Sequence, residues 1–168
     1  MDIDELTAEA LTQLIAGSDT TSNSSCAILF YLAKNVEKQV KLQAELDGVF
    51  KERGISGVME YEDVKALPYL NAVINEALRM HSTSSMGLPR IVPEGTEFKG
   101  ERFVAGTECS VPAYTVHHLE NVWGDPWTFR PERWLDAEDA KDLDKSFIPF
   151  GVGPRSCVGR NLATMELL

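Results

Sequence analysis

Apolar positions return at helical spacing through the first part of the chain. Leu11, Leu14 and Ile15, with Ser18, keep to one face of a segment that no proline interrupts from Leu6 to about Ala33, which predicts a long helix with Thr7 as its N-cap. Inside it lies AGSDTTSNSS, where nine consecutive residues from Gly17 to Ser25 are mediocre or poor helix formers. Either the helix ends there, or its middle serves something besides stability. A second amphipathic helix, charged on its outer face, is predicted from about Asn35 to Phe50 and is closed by RGISG. The sharpest pattern is PYLNAVINEALRM. Its Leu70, Val73, Ile74, Ala77 and Leu78 form a full i, i+3, i+4, i+7, i+8 stripe, with Pro68 suited to the first turn.

Beyond this helix the texture changes. LPRIVPEGTEFKGERFVAGTECSVPAY consists of short apolar pieces punctuated by Gly95, Gly100 and Gly106, which reads as small β-strands with a hairpin. From Glu120 to Phe150 aromatics and prolines alternate without a period, as in an irregular but packed connector, and a last helix is expected near Cys157. The fold class expected is mainly α, with small β-sheet and hairpin elements. No repeat, low-complexity tract or interdomain linker divides residues 1–168.

Composition narrows the functions. The 168 residues are 43% hydrophobic and 25% charged, as in an ordinary globular domain, and the net charge of −10 lacks the basic field that a nucleic-acid partner requires. Cys26, Cys109 and Cys157 are odd in number and far apart, which argues against a disulfide framework and for a reducing compartment. The longest apolar run, Ala27 to Ala33, is too short to span a bilayer, so any membrane anchor is expected outside this chain.

The candidate chemistry centres on FGVGPRSCVG, Phe150 to Gly159. A cysteine in a glycine-rich loop just ahead of a helix meets the positive end of the helix dipole, which favours thiolate over thiol and makes a better metal ligand. A lone cysteine is more commonly a buried free thiol. The neighbours favour the ligand: Gly153 and Gly159 let backbone approach a flat group, and Arg155 can pair with an anionic edge. Glu76 and Arg79, three apart in EALR, share a helix face and can pair.

FGVGPRSCVG resembles the haem-binding signature of the cytochrome P-450 family, with Phe150, Gly153, Arg155, Cys157 and Gly159 at its five defining positions. Three more segments agree with that resemblance, in the family's order. AGSDTT resembles the oxygen-activation segment of the family's long central helix, EALR its Glu-x-x-Arg, and PERW, Pro131 to Trp134, its Pro-Glu-Arg-aromatic motif. The resemblance covers essentially the whole chain and implies a partial cytochrome P-450 domain over residues 1–168, the haem-binding C-terminal portion, without the N-terminal part of the fold. It implies haem b (iron protoporphyrin IX) with Cys157 as the iron's thiolate ligand, a ligand type that favours O–O cleavage. Phe150 would pack beside the sulfur, Arg155 and Arg90 would hold the propionates, and Gly159 would let the last helix run close under the porphyrin. Asp19 and Thr20 would be catalytic, delivering protons to oxygen, in a helix opened locally by its Ser and Thr hydroxyls. Glu76, Arg79 and Arg133 would form the structural triad that locks the connector.

The same resemblance implies an oxidoreductase, a haem-thiolate monooxygenase that inserts one atom of O2 into a small aromatic or hydrophobic substrate. Electrons would come from NADPH through an NADPH-cytochrome reductase, and the intact protein would sit at the cytosolic face of the endoplasmic reticulum membrane, held by an N-terminal anchor absent here. LTAEALTQLIAGSDTTSNSSCA and HSTSSMGLPRIVPEG are similar to the fungal benzoate 4-hydroxylase group, which implies para-hydroxylation of benzoate or a related aromatic acid. The hydroxyls of Ser82 to Ser85 could help to hold a carboxylate, or could simply cap and turn the chain. Other readings are a monooxygenase of a different small hydrophobic substrate, a haem-thiolate enzyme that rearranges peroxides without external electrons, and a noncatalytic truncated fragment. The Asp19 and Thr20 pair speaks against the peroxide reading. For His117 and His118, ordinary packing or surface roles are expected, since no third metal ligand stands at suitable spacing.

Overall fold

The structure, a computed structural model, describes residues 2–136 and 143–168. The part of the expected connector at 137–142 lies outside the described residues.

Helix α1 (Ile3–Lys34) begins earlier than the sequence predicts. Asp2, not Thr7, is its N-cap: the Asp2 carboxylate accepts from the Glu5 N–H at 2.9 Å, and the Glu5 carboxylate accepts from the Asp2 N–H at 2.9 Å. This reciprocal pair satisfies two backbone donors at the helix start. Thr7 lies one turn inside, its hydroxyl donating to the Ile3 carbonyl. AGSDTTSNSS does not end the helix, which is α-helical at every residue of the segment. Thr20, Asn23, Ser24 and Ser25 each donate to the carbonyl four residues back, at 2.8 to 3.0 Å. Side chains that elsewhere compete with a helix are here turned back onto it.

Helix α2 (Val36–Arg53) is closed by Gly54 and followed by a single turn, α3 (Tyr61–Val64). Helix α4 (Pro68–Met80) matches the predicted stripe, with proline at its start. Its N-terminus is capped from another helix: the Glu45 carboxylate of α2 accepts from the N–H groups of Tyr69 and Leu70 at 2.9 and 2.8 Å. Nine of the thirteen α4 residues are buried, so polar Glu76 and Arg79 are enclosed along with the apolar stripe. The core joins Leu70, Val73, Ile74 and Leu78 of α4 to Ile28 and Leu32 of α1, Leu42 of α2 and Phe129. The Tyr31 and Phe129 rings stack at 5.1 Å across it.

Four two-residue strands follow. β1 (Arg90–Ile91) pairs antiparallel with β4 (Glu108–Cys109), and β2 (Glu97–Phe98) forms the predicted hairpin with β3 (Glu101–Arg102). Helix α5 (Ala113–His117) comes next, and the connector after it contains order that its composition does not announce: α6 (Glu120–Trp123) and a 3-10 turn, Pro131–Trp134, against α4. A second 3-10 turn, Gly153–Arg155, shapes the cysteine loop, and α7 (Arg160–Leu167) starts three residues after Cys157.

Only the C-terminal half of α1 is built into the core. Residues 2–20 are exposed on every side, so the predicted apolar face carries Leu11, Leu14 and Ile15 in the open, with Leu14 66% exposed. No helix among the described residues is long and apolar enough to cross a membrane.

Candidate functional site

Glu76, Arg79 and Arg133 are brought together as the sequence predicts, in a dry cluster. Glu76 and Arg79 have no exposed surface and Arg133 retains 3%. Arg79 donates twice to Glu76, from Nε to Oε2 at 3.0 Å and from Nη2 to Oε1 at 2.8 Å, and Arg133 Nε donates to Oε1 at 3.0 Å. Two more donors complete the carboxylate, the Arg130 N–H and the Trp134 indole N–H, each at 3.0 Å. Further guanidinium hydrogens are used on backbone: Arg79 on the His117 carbonyl, Arg133 on the carbonyls of Trp123 and Asp125. Burying three charges without these partners would cost several kcal/mol per ion. Of the five hydrogen bonds this carboxylate accepts, the three from the Arg130 N–H, Arg133 and Trp134 tie α4 to the connector.

Glu132, between the triad arginine and its proline, anchors the same turn to α2. Tyr69 Oη donates to its Oε1 at 3.1 Å, Lys41 Nζ to the same oxygen at 3.0 Å, and Lys38 Nζ lies 3.1 Å from Oε2. Burial works to raise the Glu132 pKa, but the hydrogen bonds from Lys41, its own backbone N–H, Lys38 and Tyr69 outweigh it and bring the carboxyl down to about 2.

His117 is the functional residue whose place sequence reasoning missed. The packing role holds, but the ring is fully enclosed and hydrogen-bonded at both nitrogens. Its Nε2 accepts from the Ile148 N–H at 2.8 Å, so the proton of the neutral ring sits on Nδ1, which lies 2.8 Å from Ser82 Oγ and 3.1 Å from the Arg79 carbonyl. The Ser82 hydroxyl in turn donates to the Leu78 carbonyl at 2.9 Å. Burial is the main cause that lowers the His117 pKa to about 4, with the nearby Arg79 charge and His118 adding to it against the backbone bond to Arg79. Ser82 is thereby committed to the core, which removes it from the hydroxyls available to hold a substrate carboxylate.

The loop from Phe150 to Gly159 presents its thiol outward. Phe150 is half-buried against the core, with the Arg160 guanidinium 5.8 Å above its ring. The loop closes through the Cys157 N–H, which donates to the Phe150 carbonyl at 2.8 Å, and through the Ser156 N–H to the Gly153 carbonyl at 3.0 Å. Gly151 and Gly153 turn it in the left-handed region, at φ of 69° and 76°. Cys157 is exposed, and a methyl group added at Gly159 would lie 3.9 Å from its sulfur, in ordinary contact. Among the described residues no N–H donates to the sulfur, and the Cys157 N–H is used on the Phe150 carbonyl.

Arg155 and Arg90 are exposed, and neither has an ion-pair partner among the described residues; Arg90 donates only to the neighbouring Pro89 carbonyl. Asp19 and Thr20 lie on the exposed half of α1. The Thr20 hydroxyl bonds its own helix, and no hydrogen bond or ion pair joins Asp19, Thr20 or Arg90 to the cysteine loop. The structure thus unites the triad and, separately, the cysteine loop.

A family model described as Cytochrome P450 matches residues 1–168, and the chain belongs to that family. It is 50% identical over 168 residues to benzoate 4-monooxygenase bphA of Aspergillus niger, an alignment that takes in 98% of this chain and 32% of that protein. It is 40% identical to cytochrome P450 monooxygenase ORF9 of Penicillium roqueforti, over 99% of this chain and 32% of the relative. A pisatin demethylase of Fusarium vanettenii is 40% identical over 90% of this chain and 29% of its own length. The chain therefore spans about a third of the length of the curated relatives it matches.

The family implies haem with electrons from a redox partner, and the donor set present fits such a group. An outward thiol on a glycine turn is a soft ligand for iron. Two guanidinium groups without counter-ions among the described residues suit the carboxylates of a porphyrin edge.

Proposed function

We propose that this chain is the haem-binding portion of a monooxygenase that inserts one oxygen atom of O2 into an organic substrate, para-hydroxylating benzoate or a related small aromatic acid. The observation that carries the reading is the pairing of the buried Glu76–Arg79–Arg133 cluster with an exposed cysteine on the adjoining loop. The cluster fixes the Pro131–Trp134 turn against α4, and Phe147 and Phe150, at the start of the cysteine loop, pack against the same core. The benzoate assignment is supported by the 50% identity to benzoate 4-monooxygenase.

In this reading the group is haem b, and it supplies dioxygen activation when bound. Cys157 is the ligand, and Phe150 and Gly159 shape the space beside its sulfur. Arg155 and Arg90 neutralise the propionates, while Gly153 opens the turn that carries Arg155. Asp19 and Thr20 move protons: the Thr20 hydroxyl, now donating to the Ala16 carbonyl, can rotate to a new acceptor, and Asp19 beside it is open to solvent. The triad is structural. Electrons come from NADPH through a reductase at the cytosolic face of the endoplasmic reticulum. A full-length protein carrying this chain, supplied with reductase, NADPH and benzoate, is expected to form 4-hydroxybenzoate with matched NADPH use. Coupled oxidation of other aromatic substrates, with none of benzoate, would reject the substrate while keeping the reaction class.

A further inference from the structure

We propose that His117 is a positioning residue for the thiolate, holding the entrance of the cysteine loop to the frame built around α4. The inference rests on the haem-thiolate reading and assigns the loop's anchor within it. The sulfur can be placed reproducibly only if the segment before it is fixed. Among the described residues, the backbone hydrogen bonds within Phe147–Cys157 are local: Gly151 to Ile148, Ser156 to Gly153 and Cys157 to Phe150. The bond from the Ile148 N–H to His117 Nε2, at 2.8 Å, instead crosses to α5. It occurs two residues before Phe150, whose carbonyl receives the Cys157 N–H.

The other side of the same residue joins the triad. Arg79 Nη1 donates to the His117 carbonyl at 2.8 Å, and the ring Nδ1 lies 3.1 Å from the Arg79 carbonyl and 2.8 Å from Ser82 Oγ. His117 thus stands between the ion cluster and the loop, with backbone bound to one and ring to the other. An acceptor at Nε2 requires the neutral ring, and the enclosed site disfavours the charged one. The ring is also in contact with Phe147, at a centroid distance of 5.5 Å. Apolar packing is therefore the rival anchor, and substitutions separate the two.

The test uses the haem-loaded full-length protein, with the reduced carbon monoxide spectrum recorded per bound haem. His117→Phe keeps an aromatic ring against Phe147 and loses the acceptor. The thiolate type of Soret band is expected to fall to a minor fraction of the bound haem, while His117→Gln, which keeps an acceptor at similar reach, retains most of it. A wild-type band in His117→Phe overturns the proposal and leaves the haem-thiolate reading intact. Absence of that band from the unsubstituted protein overturns the reading, and the proposal with it. If His117→Phe does not fold, His117→Asn, too short to reach Ile148, is compared with His117→Gln. Loss of the band in the Asn variant alone supports the proposal, and equal bands in both overturn it.

Discussion

Replacing Glu76 with alanine removes the one carboxylate that faces two buried guanidinium groups. The side chain has no exposed surface and accepts five hydrogen bonds, three of them from Arg79 and Arg133. Without it, both arginines keep backbone carbonyls as partners, those of His117, Trp123, Asp125 and Thr128. Water cannot reach them to compensate. Breaking a buried pair by removing one partner costs about 3–5 kcal/mol. Against a total stability of about 5–15 kcal/mol for an ordinary domain, the loss is a fifth or more of the reserve. Glu76→Gln, which keeps the volume and one acceptor oxygen, is expected to lose less. The assay is haem content and urea midpoint of the full-length protein, together with turnover per bound haem. Both variants should lose haem and stability in the order Ala before Gln, while molecules that retain haem turn over near the normal rate. Normal haem content and a normal midpoint with turnover abolished would refute the reasoning, because Glu76 would then act in the chemistry.

Three further outcomes are expected. Thr20→Ala removes an exposed hydroxyl bonded only to its own helix, so stability should change little, while product formed per NADPH falls about tenfold or more and peroxide rises; unchanged coupling would take Thr20 out of proton delivery. The folded pKa of His117 is near 4 against an ordinary 6.5, so between those values the unfolded chain binds more protons here than the folded one. Stability should therefore fall as pH drops through that window, by up to about 1.4 kcal/mol per unit from this group, and His117→Gln should flatten the slope of urea midpoint against pH. Gly87 has φ of 73°, and a Cβ there would lie 2.3 Å from the Val111 carbonyl oxygen, a backbone atom that cannot swing aside. Gly87→Ala should cost more stability than the roughly 1–2 kcal/mol of left-handed strain alone, read as a lower thermal midpoint, and an unchanged midpoint would show that the Ser85–Val111 region yields freely.

The elements most legible in the sequence were those whose signal is periodic or tightly spaced. The α4 stripe survives because one short segment carries the centre of the core, and Glu76 with Arg79 lies on it at i, i+3. Arg133 was legible through the short motif PERW, although nothing local tells that its charge is buried. What escaped depends on distant backbone. His117 binds Ile148, 31 residues away, and Arg79, 38 residues away, through main-chain groups that leave no trace in residue type. Ser82 looked like one hydroxyl in a run and is buried beneath that ring. The start of α1 was misplaced because Asp2 and Glu5 cap each other before the apolar spacing begins. The low helix propensity of Gly17 to Ser25 did not end α1, since its polar side chains bond back to the carbonyls of the same helix. The apolar face of Leu11, Leu14 and Ile15 was read correctly as a helical face, but periodicity does not say what covers it.

The central claim is that Cys157 is the iron's thiolate ligand, and its most direct test is the reduced carbon monoxide spectrum of the full-length, haem-loaded protein beside its Cys157→Ala variant. The unsubstituted protein is expected to show the strongly red-shifted Soret band of thiolate-bound haem, and the variant to lack it while the surrounding fold, judged by circular dichroism, persists. The same red-shifted band in Cys157→Ala would contradict the account.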